Sequence, residues 1–372
     1  MTSKLRVALV HDMIAQYGGS EEVLLELHRM FPDAPLYTAV FNPSRNRAKF
    51  AQIDIRTSFI RHIPFLAPNY EAAVPLLPLA YENFDLRGFD LVLSSCHACS
   101  KGVIPPAQAL HVSYCYTPIR YAWSHREDYL ARIPLRPILS PVARVMLGRL
   151  RQWDYIAAQR VDSFITVSEA VRERIAKYYR RESEVVPCPI NLDRFHFDGQ
   201  PLATAGPFLV VSRLVHYKRT EVAVEACTRL GLPLIVIGQG SEMDGLRKLA
   251  GPSVRFLGEV NDRDLEEAYR DCRALIYTPE EDLGLAPIEA MATGRPVLAL
   301  NAGGAKETVL PGITGELYED AGVDALVEAL QRFHPETYDP AMCRARAEEF
   351  SPSQFRTKIR AILERELGCA LP

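Results

Sequence analysis

The sequence predicts an α/β protein made of two parallel-sheet domains, and three observations carry that prediction. Apolar runs rich in β-branched residues alternate with helical patterns from Leu5–Val10 to Ser163–Val167, and again from Phe208–Ser212 to Val297–Leu300. Buried parallel strands joined by crossover helices produce that alternation. Between the two series lies PCPINLDRFHFDGQPLATAGP, starting at Pro187, with four prolines and little periodicity, the composition of a linker. The length of 372 residues exceeds one ordinary core and suits two domains of roughly 150 to 200 residues.

In chain order, Leu5–Val10 reads as a strand leading into His11-Asp12 and the segment MIAQYGGSEE, with a helix expected from Glu21 to Met30. Gly18-Gly19 either brings backbone close to a ligand or is a tight turn alone, and Ser20 is the expected helix N-cap. Further strands are expected at Ala34–Phe41, Asp90–Ser95, Leu110–Tyr116 and Ser163–Val167, which gives a Rossmann-like half with functional loops at the strands' carboxyl ends. Ser94-Ser95-Cys96-His97 sits at one such end, so His97 is a candidate for meeting substrate, although lone histidines also serve structure. Arg132 to Arg151 holds five arginines and no acid before Asp154 among Leu, Ile, Val and Met. That pattern is either a basic amphipathic face for anionic lipid or a surface helix packed on the sheet.

The second half opens with Phe208–Ser212 and continues through Leu234–Ile237, Val254–Leu257, Ala274–Tyr277 and Val297–Leu300, a second Rossmann-like sheet. Arg213 and Lys218 lie between its first strand and the next helix, where a guanidinium fork and an ammonium suit a diphosphate; solvated loop cations are the plainer alternative. Gly238-Gln239-Gly240 lacks the third glycine of a dinucleotide fingerprint because Met243 stands there. Asp262 and Asp264 have the spacing of a metal pair, but acids starting a helical pattern are the commoner cause.

The most informative stretch is PEEDLGLAPIEAMATGRPVLAL, residues 279 to 300. A helix over Leu285 to Thr293 buries Ile288, Met291 and Ala292 on one face and turns Glu289 toward its N-terminal mouth. Unpartnered N–H groups near Gly284 and Leu285 make that mouth an anion site. Glu281 and Glu289 beside it suit hydroxyl-rich ligands, or are simply charges favoured by the helix.

A net charge of −3 gives no general case for nucleic acid as partner. No apolar run nears the roughly 20 residues of a membrane span, and the N-terminus lacks a signal-peptide pattern, so a soluble cytoplasmic protein is expected. The eight cysteines are scattered, and Cys96-His97-Ala98-Cys99 has no second pair at metal spacing, which argues against disulfide or zinc use.

Taken together, Glu281 and Glu289 with the continuation IEAMATGRPVLALNAGGAKETVLPGITGELYE, Arg213 with Lys218, Gly18-Gly19, and VRFLGEVNDRDLEEAY resemble the GT-B retaining glycosyltransferases of sequence family four. The resemblance implies two Rossmann-like domains facing across a cleft. Residues 1–200 would bind acceptor, 201–351 the nucleotide sugar, and 352–372 would form a helix returning to the N-terminal domain. It implies that Glu289 binds the donor ribose and that Glu281, with backbone at Leu283, Gly284 and Leu285, binds the transferred sugar and phosphates. Arg213 and Lys218 would stabilise the leaving diphosphate without metal or other cofactor, Gly258 and Val260 would lie near the base, and His97 would touch the sugar.

More narrowly, HDMIAQYGGSEEVLLELHRMFPDAPLYTAVF and SYCYTPIRYAWSHREDYL resemble bacterial O-antigen and exopolysaccharide mannosyltransferases. That branch implies GDP-mannose as donor and a lipid-diphosphate-linked oligosaccharide as acceptor. Such an acceptor would give a use to Arg120 and Arg126, while Tyr121 and Trp123 either stack on sugar or are core aromatics. A nucleotide-sugar epimerase of the same architecture, or a non-catalytic partner subunit, are the alternatives.

Overall fold

The computed structural model describes residues 5–371 apart from 16, 44–47, 64–69, 132–135, 198 and 200–205. The chain divides into two compact units, Met1–Pro187 with Arg356–Pro372, and Cys188–Phe355. The first division thus falls at the start of the proline-rich stretch and not at residue 200. The cause is local bonding: Ile190 N–H donates to the Phe350 carbonyl at 2.9 Å, Arg344 Nη1 donates to the Phe195 carbonyl at 3.0 Å, and the Phe195 ring packs edge-on against Tyr269. These contacts tie the segment after Pro187 to the second unit. The last helix, Pro352–Leu367, joins the first unit from Arg356 onward, where Arg356 pairs with Glu26 and Arg365 with Glu184.

The first unit is a seven-stranded parallel sheet in the order β3-β2-β1-β4-β5-β6-β7, with β1 Val7–His11, β2 Leu36–Thr38, β3 Ile55–Thr57, β4 Leu91–Cys96, β5 Leu110–Cys115, β6 Ser163–Thr166 and β7 Glu184–Val185. Every residue of β1 and β4 is buried, because crossover segments cover both faces of a parallel sheet; that is why these strands read as unbroken apolar runs. One core cluster includes Val10, Tyr81, Val92 and Ile119. The helix after β1 runs Gly19–Met30 with Gly18 as N-cap, two residues earlier than the cap expected at Ser20. Ser20 does not cap because it is the second residue of the helix itself; its hydroxyl donates to Glu21 Oε2 at 3.0 Å.

The second unit is a six-stranded parallel sheet in the order β10-β9-β8-β11-β12-β13, with β8 Phe208–Val211, β9 Leu234–Ile237, β10 Val254–Gly258, β11 Ala274–Tyr277, β12 Val297–Leu300 and β13 Gly315–Tyr318. Its core gathers Val210, Val224, Leu234, Ile276 and Leu298. Both sheets are doubly wound, and each reverses direction once, between β1 and β4 and between β8 and β11. Loops leaving the carboxyl ends of the two strands at such a reversal diverge to opposite faces and open a crevice, the usual ligand position in this architecture.

Candidate functional site

In the second unit the crevice lies past β8 and β11, and the sequence delivers a cation after one strand and an anion after the other. The short turn His216–Lys218 follows β8, and Thr278 Oγ1 donates to the Lys218 carbonyl at 2.9 Å, fixing that turn to the end of β11. Lys218 is 8% exposed and its Nζ donates to Glu281 Oε1. The second carboxylate oxygen of Glu281 accepts from Tyr277 Oη. Arg213 is exposed and Nη2 donates to Tyr217 Oη at 2.6 Å, while Lys218 Nζ lies 5.6 Å from the centre of the same ring. Arg213, Tyr217, Lys218, Glu281 and Tyr277 therefore form one chain of contacts. The structure brings together the two cations and the first glutamate, as an ion pair in which Glu281 occupies the ammonium.

The helix Leu285–Ala292 starts at once after Gly284. Gly284 has φ 83°, and a Cβ there would stand 2.5 Å from Tyr277 Oη, so glycine is required both by the backbone and by the tyrosine. Ile288, Met291 and Ala292 are fully buried, the face expected from the 3.6-residue period. Leu283 is buried beside them and Leu285 is half-buried. Glu289 accepts from Tyr269 Oη at 2.6 Å. Burial, then the Glu289 charge, pushes the Tyr269 phenol well up, so it stays a proton donor to that carboxylate.

Gly258 ends the edge strand β10 at φ 71° and its carbonyl accepts from Gly238 N–H at 2.8 Å, with Val260 half-buried beyond it. A Cβ at Gly238 would collide with the Ser212 carbonyl and one at Gly240 with that of Leu214. The Gly-Gln-Gly pair thus serves close packing against the loop that carries Arg213. Asp262 pairs with Arg194 at 2.8 Å, and Asp264 N–H donates to the cap Asn261 Oδ1 at 2.9 Å, so this acid pair starts a helix. Among the described residues no group of three or more His, Cys, Asp or Glu is placed to hold a metal.

The first unit repeats the arrangement with different chemistry. Asp12 follows β1, is 1% exposed, and accepts four consecutive backbone N–H groups past β4. His97 at 2.6 Å and Ala98 at 2.8 Å donate to Oδ2; Cys99 at 2.8 Å and Ser100 at 2.9 Å donate to Oδ1. Burial alone would raise this carboxyl, but His97, His11 and the amides outweigh it and hold Asp12 below the usual aspartate range. His97 Nδ1 sits 3.4 Å from Asp12 Oδ2, with the imidazole 41% exposed. His11 bonds Ser95 Oγ through Nδ1 at 3.0 Å, and its Nε2 faces Glu21 at 3.6 Å.

Gly18 is extended, and a Cβ there would meet nothing nearer than Glu21 Oε2 at 3.4 Å; the protein's own packing does not demand glycine at this place, and Gly19 begins the helix. The C-x-x-C thiols are buried, with burial pushing Cys96 up to about 11 and Cys99 well up, which leaves both as protonated thiols. Behind them the fully buried Lys101 Nζ donates to Asp154, whose other oxygen accepts from Trp123 Nε1 at 2.8 Å and Tyr179 Oη at 2.7 Å. Trp123 is half-buried, stacks on Tyr178 at 4.8 Å and packs against the edge of the core. Tyr121 is half-buried against Tyr129, and the Arg120 carbonyl accepts from His125 N–H at 2.9 Å. Arg126 and Arg144 both pair with Glu127. Arg132 lies outside the described residues.

Sequence reasoning passed over Asp12, Tyr217, Tyr277 and Gly303-Gly304. A Cβ at Gly303 would collide with the Glu281 carbonyl and one at Gly304 with Leu283 Cα, and Gly304 N–H donates to the Glu281 carbonyl at 2.8 Å. The available signal was an acid closing an apolar strand, hydroxyl-bearing rings flanking Lys218 and Glu281, and a glycine pair following β12.

Comparison with known proteins agrees with this construction. The model described as Glycosyltransferase Family 4 matches residues 17–194, and that described as Glycosyl transferases group 1 matches residues 196–350. The glycogen synthase of Pseudomonas syringae pv. tomato is 29% identical over 217 residues, covering 54% of this chain and 41% of that protein. The GDP-mannose-dependent alpha-(1-6)-phosphatidylinositol monomannoside mannosyltransferase of Mycobacterium tuberculosis is 30% identical over 219 residues, covering 51% of this chain and 55% of that one. The chain spans about half the length of these curated relatives. The structure of Anabaena HepE in complex with UDP superposes with a TM-score of 0.70 at 17% identity, covering 97% of this chain and 100% of that one. Sucrose-phosphate synthase from Thermosynechococcus elongatus gives 0.71 at 18% identity, covering 98% and 99%. With two doubly wound parallel sheets and family models matched in succession along its length, the chain belongs to the family 4, group 1 glycosyltransferases of the GT-B fold.

Proposed function

We propose that the protein is a retaining glycosyltransferase that moves mannose from GDP-mannose to a lipid-diphosphate-linked oligosaccharide in bacterial surface polysaccharide synthesis, without a metal ion. The observation that carries the reading is the nearly buried Lys218 ammonium at the sheet's reversal point, paired with Glu281 beside the N-terminus of the helix Leu285–Ala292. Cleaving a glycosyl phosphate builds positive charge at the anomeric carbon and negative charge on the departing diphosphate. A preorganised ammonium, a guanidinium and helix N–H groups lower the barrier by meeting that negative charge. In this scheme the diphosphate takes Lys218 from Glu281, and Glu281, still held by Tyr277, turns to the sugar hydroxyls. Glu289, positioned by Tyr269, takes the ribose hydroxyls, and Gly258 with Val260 lies toward the base.

Mannose rests on the narrower sequence resemblance and on the similarity to the mycobacterial mannosyltransferase. The competing indication is glucose, since other relatives are glycogen synthases and a neighbouring structure holds UDP-glucose. Calorimetric titration in chelator with GDP-mannose, UDP-glucose and UDP-N-acetylglucosamine decides the donor. GDP-mannose is expected to bind in preference, and Glu289→Ala to weaken it; preference for a UDP-sugar would overturn the mannose assignment, and binding only after a divalent ion is added would overturn metal independence.

The acceptor side of the proposal places the protein at an anionic membrane surface. Among the described residues no helix is long and apolar enough to cross a bilayer, but the helix Arg136–Gln159 exposes Val142, Val145 and Met146, 58%, 58% and 44% accessible, with the exposed Arg149 on the next turn. Co-flotation with phosphatidylglycerol vesicles and not with phosphatidylcholine vesicles is the expected result, lost on Val145→Glu. Equal recovery without lipid would remove membrane contact from the proposal.

A further inference from the structure

The pairing of Asp12 with the segment after β4 has a chemical result that goes past anchoring a loop. A carboxylate has room for about four hydrogen bonds, two on each oxygen, and Asp12 receives four amides at 2.6 to 2.9 Å. His97 supplies one of those amides and also places its ring Nδ1 3.4 Å from Oδ2. The amide bonds fix the His97 backbone, and the neighbouring carboxylate charge selects which ring nitrogen carries the proton. An anion facing Nδ1 favours Nδ1–H and leaves Nε2 as the acceptor. Two rings limit rotation: His11 is edge-on at 6.2 Å and Tyr116 tilted at 6.3 Å. Among the described residues no side chain pairs with His97 Nε2, and the imidazole is 41% exposed.

We propose that Asp12 is a positioning residue that holds His97 in its Nδ1–H tautomer with Nε2 turned outward as a hydrogen-bond acceptor for a hydroxyl of the bound sugar. The hydroxyl partner rests on the glycosyl-transfer reading above; the tautomer does not. Asp12 touches no substrate in this scheme and acts through His97. The charged and titratable groups facing the pair are His11 from β1, with Glu21 of the helix Gly19–Met30 beyond it, Tyr116 beside the His97 ring, and the buried Tyr81, Cys96 and Cys99 with the half-buried Tyr121, which burial together with the Asp12 charge keeps protonated.

The experiment is a long-range 1H–15N spectrum of the full chain labelled at histidine, with the His97 signals assigned by their loss in His97→Gln. In the native protein His97 is expected to show a protonated Nδ1 and an unprotonated Nε2 at pH 8. In Asp12→Asn the populations are expected to move toward Nε2–H, and kcat to fall with the donor KM little changed. A native His97 that is Nε2–H overturns the proposal even if the variant does not fold. A folded Asp12→Asn with the native tautomer overturns it as well. Because the spectrum needs neither ligand nor turnover, the expected tautomer in a protein that transfers no sugar would retain the role of Asp12 and remove only the hydroxyl partner.

Discussion

Replacing Lys218 by alanine is expected to lower kcat by about 10²–10³-fold, or about 3 to 4 kcal/mol of transition-state stabilisation, the range found when one preorganised donor to developing negative charge is removed. The magnitude is this large because the ammonium is 8% exposed: water does not take its place, and the low local polarisability keeps its interaction with a departing diphosphate strong. Arg213 cannot compensate, since it is exposed and committed to Tyr217. Tyr217→Phe separates the two contributions, because it keeps the ring near Lys218 and removes the hydroxyl that accepts from Arg213; a smaller loss is expected. Steady-state kinetics on the folded variants checks this, and a Lys218→Ala enzyme within twofold of native kcat would remove the leaving-group role.

Asp154→Ala is expected to be the most destabilising single change in the first unit, costing about 3 to 5 kcal/mol. Lys101 and Asp154 are each 0% exposed, and removing the carboxylate strands a buried ammonium together with the N–H of Trp123 and the hydroxyl of Tyr179. The double variant Lys101→Met with Asp154→Ala is expected to recover part of the loss, because the uncompensated charge goes with the lysine. Denaturant unfolding followed by tryptophan fluorescence reads this directly, since the chain's two tryptophans, Trp123 and Trp153, both belong to the first unit. A single variant within about 1 kcal/mol of the native protein, an ordinary surface effect, would show that the pair is not structural.

The central strands were legible because burial on both faces writes an unbroken apolar run, as in β1, β4, β11 and β12. The edges were not. Ile55–Thr57 and Glu184–Val185 contain no fully buried residue, and Gly315–Tyr318 is half-buried at its two middle positions, so one-sided packing left no periodic trace. The site divides in the same way. Lys218 and Glu281 could be named from their residue types, but their pairing spans 63 positions, and only the strand order brings them together. Asp12 was marked only by its place at the end of an apolar strand, because its partners are backbone amides, which every residue possesses. Ser20 misled for a local reason, the helix starting at Gly19 and so placing the serine within its first turn.

The contact of Gly303 and Gly304 with the segment Glu281–Leu283 bears on how this protein can be recombined with its relatives. Two loops that touch backbone to backbone, with a Cβ excluded at both glycines and Gly304 N–H bonded to the Glu281 carbonyl, are one inherited part although Gly304 stands 23 positions after Glu281. A chimera that imports only the first loop, to change the sugar it handles, would set a foreign main chain on a native floor. The grafting unit is residues 279–304 entire, with β12 carried along as its hinge pin.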